Sequence, residues 1–216
     1  MLEGTELFSA LPPEVREHLA RRSRTLHLDR GDLIFRKGDE ARHLYLIREG
    51  RVAIAAHAAD GRESVVAVLG PGSLLGEMPL FDDGPRSADA RALTPASLVA
   101  LEFGELRDAL ADHPEALWEV VRVFARRLRA TDEALADAMF LDVPGRTAKR
   151  LLELAGADDE FDMPLTQEEL AGVVGASRER VNRALSTFVK LEWLEVSGRS
   201  RYRILRREEL AARATA

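Results

Sequence analysis

The sequence predicts an α+β fold, and three features of its patterning carry that prediction. Residues 26–101 are short apolar or alternating runs punctuated by glycine. Residues 114–140 contain no glycine and no internal proline. The last third holds two short helix signatures across a glycine, followed by a hairpin signature. The first pattern has the period of strands and turns, the second that of one long helix, the third that of a helix-turn-helix with a wing.

The glycines at 31, 38, 50, 61, 70, 72, 76 and 84 mark the turns of the first section. Between them Leu44-Tyr45-Leu46-Ile47, Arg51 to Ala55 and Val65 to Leu69 read as strands. Asp60-Gly61 reads as a tight hairpin turn. A compact antiparallel barrel or roll, jelly-roll-like, fits this grammar. Ahead of it, Pro12 to Arg22 reads as a short helix opened by proline.

In the long helix Leu117, Val121, Phe124, Leu128, Thr131, Leu135 and Ala138 step alternately by four and three. That spacing is a heptad seam suited to pairing with a second copy, and Thr131 is its polar member. Asp142 caps the next helix, with Pro144 in its first turn, where a missing N–H is harmless. The expected organisation is a roll over 1–113, a pairing helix and joint over 114–141, and a second domain over 142–216.

In that domain Thr166 and Glu169 form a capping box, Gly175 supplies a left-handed stop and Ser177 caps the following helix. Val181, Ala184, Leu185 and Phe188 are expected inward, and Arg178, Glu179, Asn182 and Arg183 outward. Arginine forks onto guanine and a carboxylate accepts from the cytosine amine, so Arg178, Glu179 and Arg183 suit the major groove of DNA. Trp193 to Val196 and Tyr202 to Leu205 read as a wing whose Arg199 and Arg201 reach phosphates.

Charge supports this division. The net charge of −6 separates into 13 Lys/Arg against 12 Asp/Glu in residues 143–216, and 18 against 25 before them. Val196 to Arg207 carries five arginines and no acid, which reads as a phosphate footprint. The absence of cysteine excludes disulfides, thiolate metal sites and cysteine-ligated iron–sulfur clusters. The five histidines are scattered without metal-ligand spacing, so no metal site is expected. There is no apolar run of the roughly 20 residues that would span a bilayer, and the expected location is the cytoplasm.

The segment Gly76-Glu77-Met78-Pro79-Leu80-Phe81-Asp82-Asp83-Gly84-Pro85-Arg86-Ser87-Ala88 places an acid, a guanidinium and a hydroxyl on one glycine-bounded stretch. Arg86 can fork onto phosphate oxygens, Ser87 can fill a further acceptor position, and Glu77 can accept from a sugar hydroxyl. A small anionic nucleotide would satisfy all three. No nucleophile with an adjacent base is present, so no catalytic residue is expected.

These segments, in this order, resemble the cAMP receptor protein (CRP/FNR) family of bacterial transcription factors over nearly the whole chain. GEMPLFDDGPRSA is similar to that family's phosphate-binding cassette, ATDEALADAMFLDVPGR to its dimer helix and hinge, and LTQEELAGVVGASRERVNRAL to its DNA-reading motif. The PGR after the hinge resembles actinobacterial cAMP-responsive members. The resemblance implies a cyclic-nucleotide-binding β-roll, a dimerisation helix and a winged helix-turn-helix. It implies cAMP as an allosteric effector, with Gly76 and Glu77 on the ribose, Arg86 and Ser87 on the phosphate, and Thr131 on the adenine amine. The position after Thr131, supplied by the partner subunit and often Ser or Asn in the family, is Asp132 here. On the DNA side it implies a homodimer on a palindrome of TGTGA-like half-sites. Thr166 would meet a phosphate, Ser177 would head the reading helix, and RNA polymerase is a further partner to consider. Two alternatives remain at this level: another effector such as a cyclic dinucleotide, or action without ligand. An enzyme acting on nucleotides in the roll is a third class.

Overall fold

A computed structural model describes residues 2, 5–57, 63–198 and 200–215. The expected turn at Asp60-Gly61 and the wing residue Arg199 lie outside the described residues. The chain separates into two compact units, 1–56 with 67–129 and 57–66 with 130–216. This division falls inside the long helix rather than at 113 or 141.

The first unit opens with α1 (Glu6–Ser9) and α2 (Pro13–Arg22). The strands of residues 24–102 are β1 (Arg24–Leu28), β2 (Leu33–Phe35), β3 (His43–Glu49), β4 (Val52–His57), β5 (Glu63–Leu69), β6 (Leu74–Leu75), β7 (Asp89–Ala92) and β8 (Ala96–Glu102), of which the end of β4 and the first half of β5 fall in the second unit's 57–66. A short helix, α3 (Met78–Asp82), sits between β6 and β7. The strands form two four-stranded sheets ordered β1-β8-β3-β6 and β2-β7-β4-β5. Pairing of β8 with both β1 and β3 is antiparallel.

β3 and β8 explain the continuous apolar run at 44–47. Side chains alternate across a strand, so a strand covered on both faces has no polar side. Leu44, Leu46, Val99 and Leu101 join Phe8, Leu19 and Leu106 in a cluster under the helices. Tyr45, Ile47, Leu98 and Ala100 point the other way and pack with Val52, Ala90 and Ala92. The helix α4 (Phe103–Asp112), unanticipated from sequence, buries Leu106, Ala109 and Leu110.

A 3-10 turn (Pro114–Ala116) leads into α5 (Leu117–Phe140). Here the expected seam is partly overturned. Phe124 packs against the roll core and meets Phe81 edge-on, with ring centroids 5.6 Å apart. Leu117, Trp118, Val121, Leu128, Leu135, Met139 and Phe140 are the large apolar side chains of α5 left exposed, at 38–80%. Of these, Trp118, Val121, Leu128, Leu135 and Met139, with Ala125 and Asp132 between them, step by three and four. This stripe keeps Val121, Leu128 and Leu135 from the expected seam, runs one position later at every other member, and includes Asp132 as its polar residue.

The second unit contains α6 (Val143–Ala155), β9 (Glu160–Asp162), α7 (Gln167–Val174), α8 (Arg178–Lys190), β10 (Leu194–Ser197), β11 (Arg201–Ile204) and α9 (Arg207–Arg213). Asp142 caps α6 by accepting from the Gly145 N–H at 2.9 Å. Thr166 and Glu169 form the expected capping box, and Gly175 closes α7 at φ 68°. Val181, Ala184, Leu185 and Phe188 are buried as expected. Asn182 departs from expectation. Its Oδ1 is buried, because its position on α8 turns the amide toward the body of the domain. The wing is a three-stranded sheet, β10-β11-β9, rather than a bare hairpin.

Candidate ligand and nucleic-acid sites

The first site is built on α3 and its flanks. Gly76 adopts φ 73°, a conformation that costs glycine little and other residues much. A β-carbon there would lie 2.2 Å from Arg86 Nη1, so the backbone approaches the guanidinium too closely for any side chain. Arg86 is only 3% exposed and Glu77 4%. Two ionisable side chains withdrawn from water this far require partners.

Arg86 donates from Nη1 to the Gly76 carbonyl and from Nη2 to the His43 carbonyl, both at 2.7 Å. Its guanidinium lies over the Phe35 ring, 4.2 Å from the centroid. The Arg86 backbone is fixed as well, donating to Asp39 O at 3.0 Å and accepting from Gly38 N at 2.8 Å. Burial pulls the Arg86 pKa down from the usual guanidinium range, opposed by Tyr45, Glu77 and Asp39. The fork expected to face a phosphate is thus partly turned onto backbone carbonyls. Nε is buried with no partner among the described residues.

Glu77 Oε1 accepts from Arg127 Nη1, and Arg127 Nη2 donates to the Leu74 carbonyl. Glu77 Oε2 has no partner among the described residues. One unsatisfied buried acceptor and one unsatisfied buried donor suit a ligand carrying a hydroxyl and an anionic group. Ser87 is exposed and donates weakly to Met78 Sδ at 3.5 Å. Sequence reasoning missed Arg127. The available signal was its place four residues, one helical turn, before Thr131.

The structure brings Gly76, Glu77, Arg86 and Ser87 together within the first unit. Thr131 and Asp132 are exposed residues of α5 belonging to the second.

On the second unit, Thr166 Oγ1 accepts from Glu169 N at 3.2 Å and Thr166 N donates to Glu169 Oε2 at 2.7 Å. Ser177 Oγ accepts from Arg180 N at 3.4 Å and starts α8. Arg178, Glu179 and Arg183 are exposed on its first two turns. Arg183 Nη2 lies 3.2 Å from Glu179 Oε1, an i,i+4 pair whose members are 76% and 82% exposed. Such a pair opens at little cost when better partners arrive.

The wing arginines are not unopposed. Glu195, Arg203 and Glu160 stand opposite one another across the three strands, with Ser197, Arg201 and Asp162 in the next row on the same face. Arg201 Nε donates to Glu160 Oε1 at 2.5 Å. Arg203 divides its two Nη groups between Glu195 and Glu160, at 3.3 and 3.4 Å. Arg207 binds Asp159 at 2.8 Å. Glu195, next to the run, and Glu160 and Asp159 upstream of it thus pair with Arg201, Arg203 and Arg207, so these three are not the bare phosphate footprint the sequence suggested.

Below the reading helix, Arg146 of α6 donates to Leu141 O at 2.5 Å and to Val174 O at 2.9 Å. The residue before the hinge cap and the end of α7 therefore share one guanidinium.

A roll with a buried arginine and glutamate, joined in one chain to a capped helix-turn-helix, defines a ligand-responsive DNA-binding regulator. Residues 25–113 match the cyclic nucleotide-binding domain family, and residues 145–213 the Crp-like helix-turn-helix domain. The chain is 40% identical over 221 residues to the CRP-like cAMP-activated global transcriptional regulator of Mycobacterium tuberculosis, covering 99% of this chain and 98% of that protein. FixK2 from Bradyrhizobium japonicum shares the fold, with a TM-score of 0.82 and 21% identity over 90% of this chain and 98% of that one. The c-di-GMP-responsive regulator CLP of Xanthomonas campestris is 26% identical, with a TM-score of 0.76, covering 89% and 99%. The chain belongs to the CRP/FNR family of transcription regulators.

Proposed function

We propose that this regulator is a homodimer activated by cAMP. The observation that carries the reading is the buried pair of Glu77 and Arg86, each with one unsatisfied polar atom. In this reading Gly76 and Glu77 hold the ribose, Arg86 and Ser87 the cyclic phosphate, and Thr131 the adenine amine. The exposed stripe of α5 faces a second copy, which contributes its Asp132. A carboxylate can accept from an exocyclic amine, so the departure from Ser or Asn is compatible with adenine. The first unit supplies no chemistry beyond binding.

Nucleotide binding then favours one arrangement of the paired helices. In it the two reading helices are separated by about one DNA turn, roughly 34 Å. Arg178, Glu179 and Arg183 read a TGTGA-like half-site, Thr166 and Ser177 meet phosphates at the helix starts, and Arg199 and Arg201 add wing contacts. A DNA partner fits a cytoplasmic protein, and in this reading RNA polymerase is the partner through which it would act.

A second reading keeps the DNA site and replaces cAMP by a cyclic dinucleotide. The likeness to CLP and the extra carboxylate of Asp132 favour it. Calorimetric titration with cAMP, cGMP and cyclic di-GMP separates the two. Saturable heat with cAMP at one site per chain supports the first; heat with cyclic di-GMP alone supports the second.

A further inference from the structure

The α3 segment is gripped at both ends, and only one grip involves a residue of the proposed nucleotide site. At its start Arg127 holds Glu77. At its end Arg107 of α4 donates from Nε and Nη2 to the Leu80 carbonyl at 3.2 and 3.0 Å, and from Nη2 to Asp83 Oδ1 at 2.5 Å. A five-residue helix leaves nearly all its carbonyls without an intrahelical partner, and Leu80 O is one of these.

Asp83 is left-handed, with φ 52°. Aspartate tolerates that conformation better than most residues but less readily than glycine, so contacts that hold it there lower its cost. The turn continues with the Gly84 N–H on Asp82 Oδ1 at 3.0 Å, then Pro85, then Arg86. The direction in which the chain leaves Asp83 therefore sets where the Arg86 and Ser87 side chains begin. Gly38 and Asp39 fix the far side of Arg86 through its backbone. Arg107 fixes the near side.

We propose that Arg107 is a positioning residue of the nucleotide site. It acts without contacting ligand, by holding Asp83 in the left-handed turn that delivers Arg86 and Ser87. The proposal rests on the cyclic-nucleotide reading given above. Global stability is not its role. Arg107 is 49% and Asp83 81% exposed, and ion pairs that open to solvent contribute little to folding.

Glycine adopts the left-handed conformation without enforcement, which gives a sharp test. Full-length wild type, Arg107→Ala, Arg107→Lys and the double variant Arg107→Ala/Asp83→Gly are titrated with cAMP by calorimetry. Amide hydrogen exchange of residues 82–88 is followed in the ligand-free proteins. Arg107→Ala is expected to weaken cAMP roughly tenfold, the scale of one released backbone constraint. Its 82–88 amides should exchange faster while the melting temperature stays put. Arg107→Lys recovers part of the affinity, and adding Asp83→Gly restores it. Unchanged cAMP affinity and exchange in Arg107→Ala, or no rescue by Asp83→Gly, overturns the proposal. If wild type binds no cAMP yet Arg107→Ala alters exchange at 82–88 and Asp83→Gly restores it, the effector reading falls and the positioning role stands.

Discussion

Arg86 donates to the carbonyl of Gly76 at 2.7 Å, and the hydrogen on Gly76 that a side chain would replace points at the same guanidinium. Gly76→Ala meets both a left-handed backbone and a contact of 2.2 Å to Arg86 Nη1. The arginine must leave its place or the turn must open. The substitution is expected to abolish measurable cAMP binding and to destabilise the first unit by about 1–3 kcal/mol. Calorimetric titration and thermal unfolding check both.

Glu77 and Arg127 separate stability from function. Arg127→Met leaves a buried carboxylate without its cation, and losing one partner of a buried pair costs up to about 3–5 kcal/mol. Arg127 is 37% exposed, so a loss near the bottom of that range or below it is expected. Converting Glu77 to Met as well removes the stranded charge. The double variant should regain most of its stability in scanning calorimetry and still fail to bind cAMP.

How much of this could be read from the chain depends on how far apart the partners lie in it. The capping box at Thr166 and Glu169 and the cap at Asp142 are local, three residues deep, and stood out in the sequence. Glu77, Arg86 and Ser87 were legible because their chemistry is carried by residue type within one short segment. Arg107 and Arg127 were not, since their partners lie 27 and 50 residues away. The same holds for the wing, where Glu160 answers Arg201 from 41 residues upstream. The heptad reading of α5 failed at Phe124 because periodicity reports that a face is apolar without saying what covers it. Phe81 and the roll core decided that.

Asp142 makes a pH-dependent contribution. Burial alone would raise its carboxyl, but the Gly145 N–H and the Arg213 and Arg146 guanidiniums outweigh burial and hold it below the usual carboxylate range. A depressed folded pKa gives stability that is complete above the unfolded value, about 3.9, and is lost as pH falls through the folded one. The carboxylate is 57% exposed, so screening keeps the contribution below about 1 kcal/mol. Asp142→Asn retains the helix cap and loses the charge. Wild type should be the more stable at pH 7, and the difference should vanish below the folded pKa in urea unfolding curves.

On DNA, Arg183 and Arg201 should behave differently. Arg183→Ala removes the proposed base contact and is expected to cost about 1–3 kcal/mol on the preferred site while relaxing preference at one base pair. Arg201→Ala removes the proposed phosphate contact and is expected to weaken all sequences by a similar factor and to lower the logarithmic salt slope by about 1. Anisotropy titrations on matched and single-substituted sites across a salt series distinguish them.

Fluorescence anisotropy on a TGTGA-type palindrome, at one fixed salt concentration, measures effector and DNA binding together. Wild type should bind roughly 5- to 150-fold more tightly with saturating cAMP, and Arg86→Ala should show no such gain. Equal DNA affinity for wild type with and without cAMP would contradict the account.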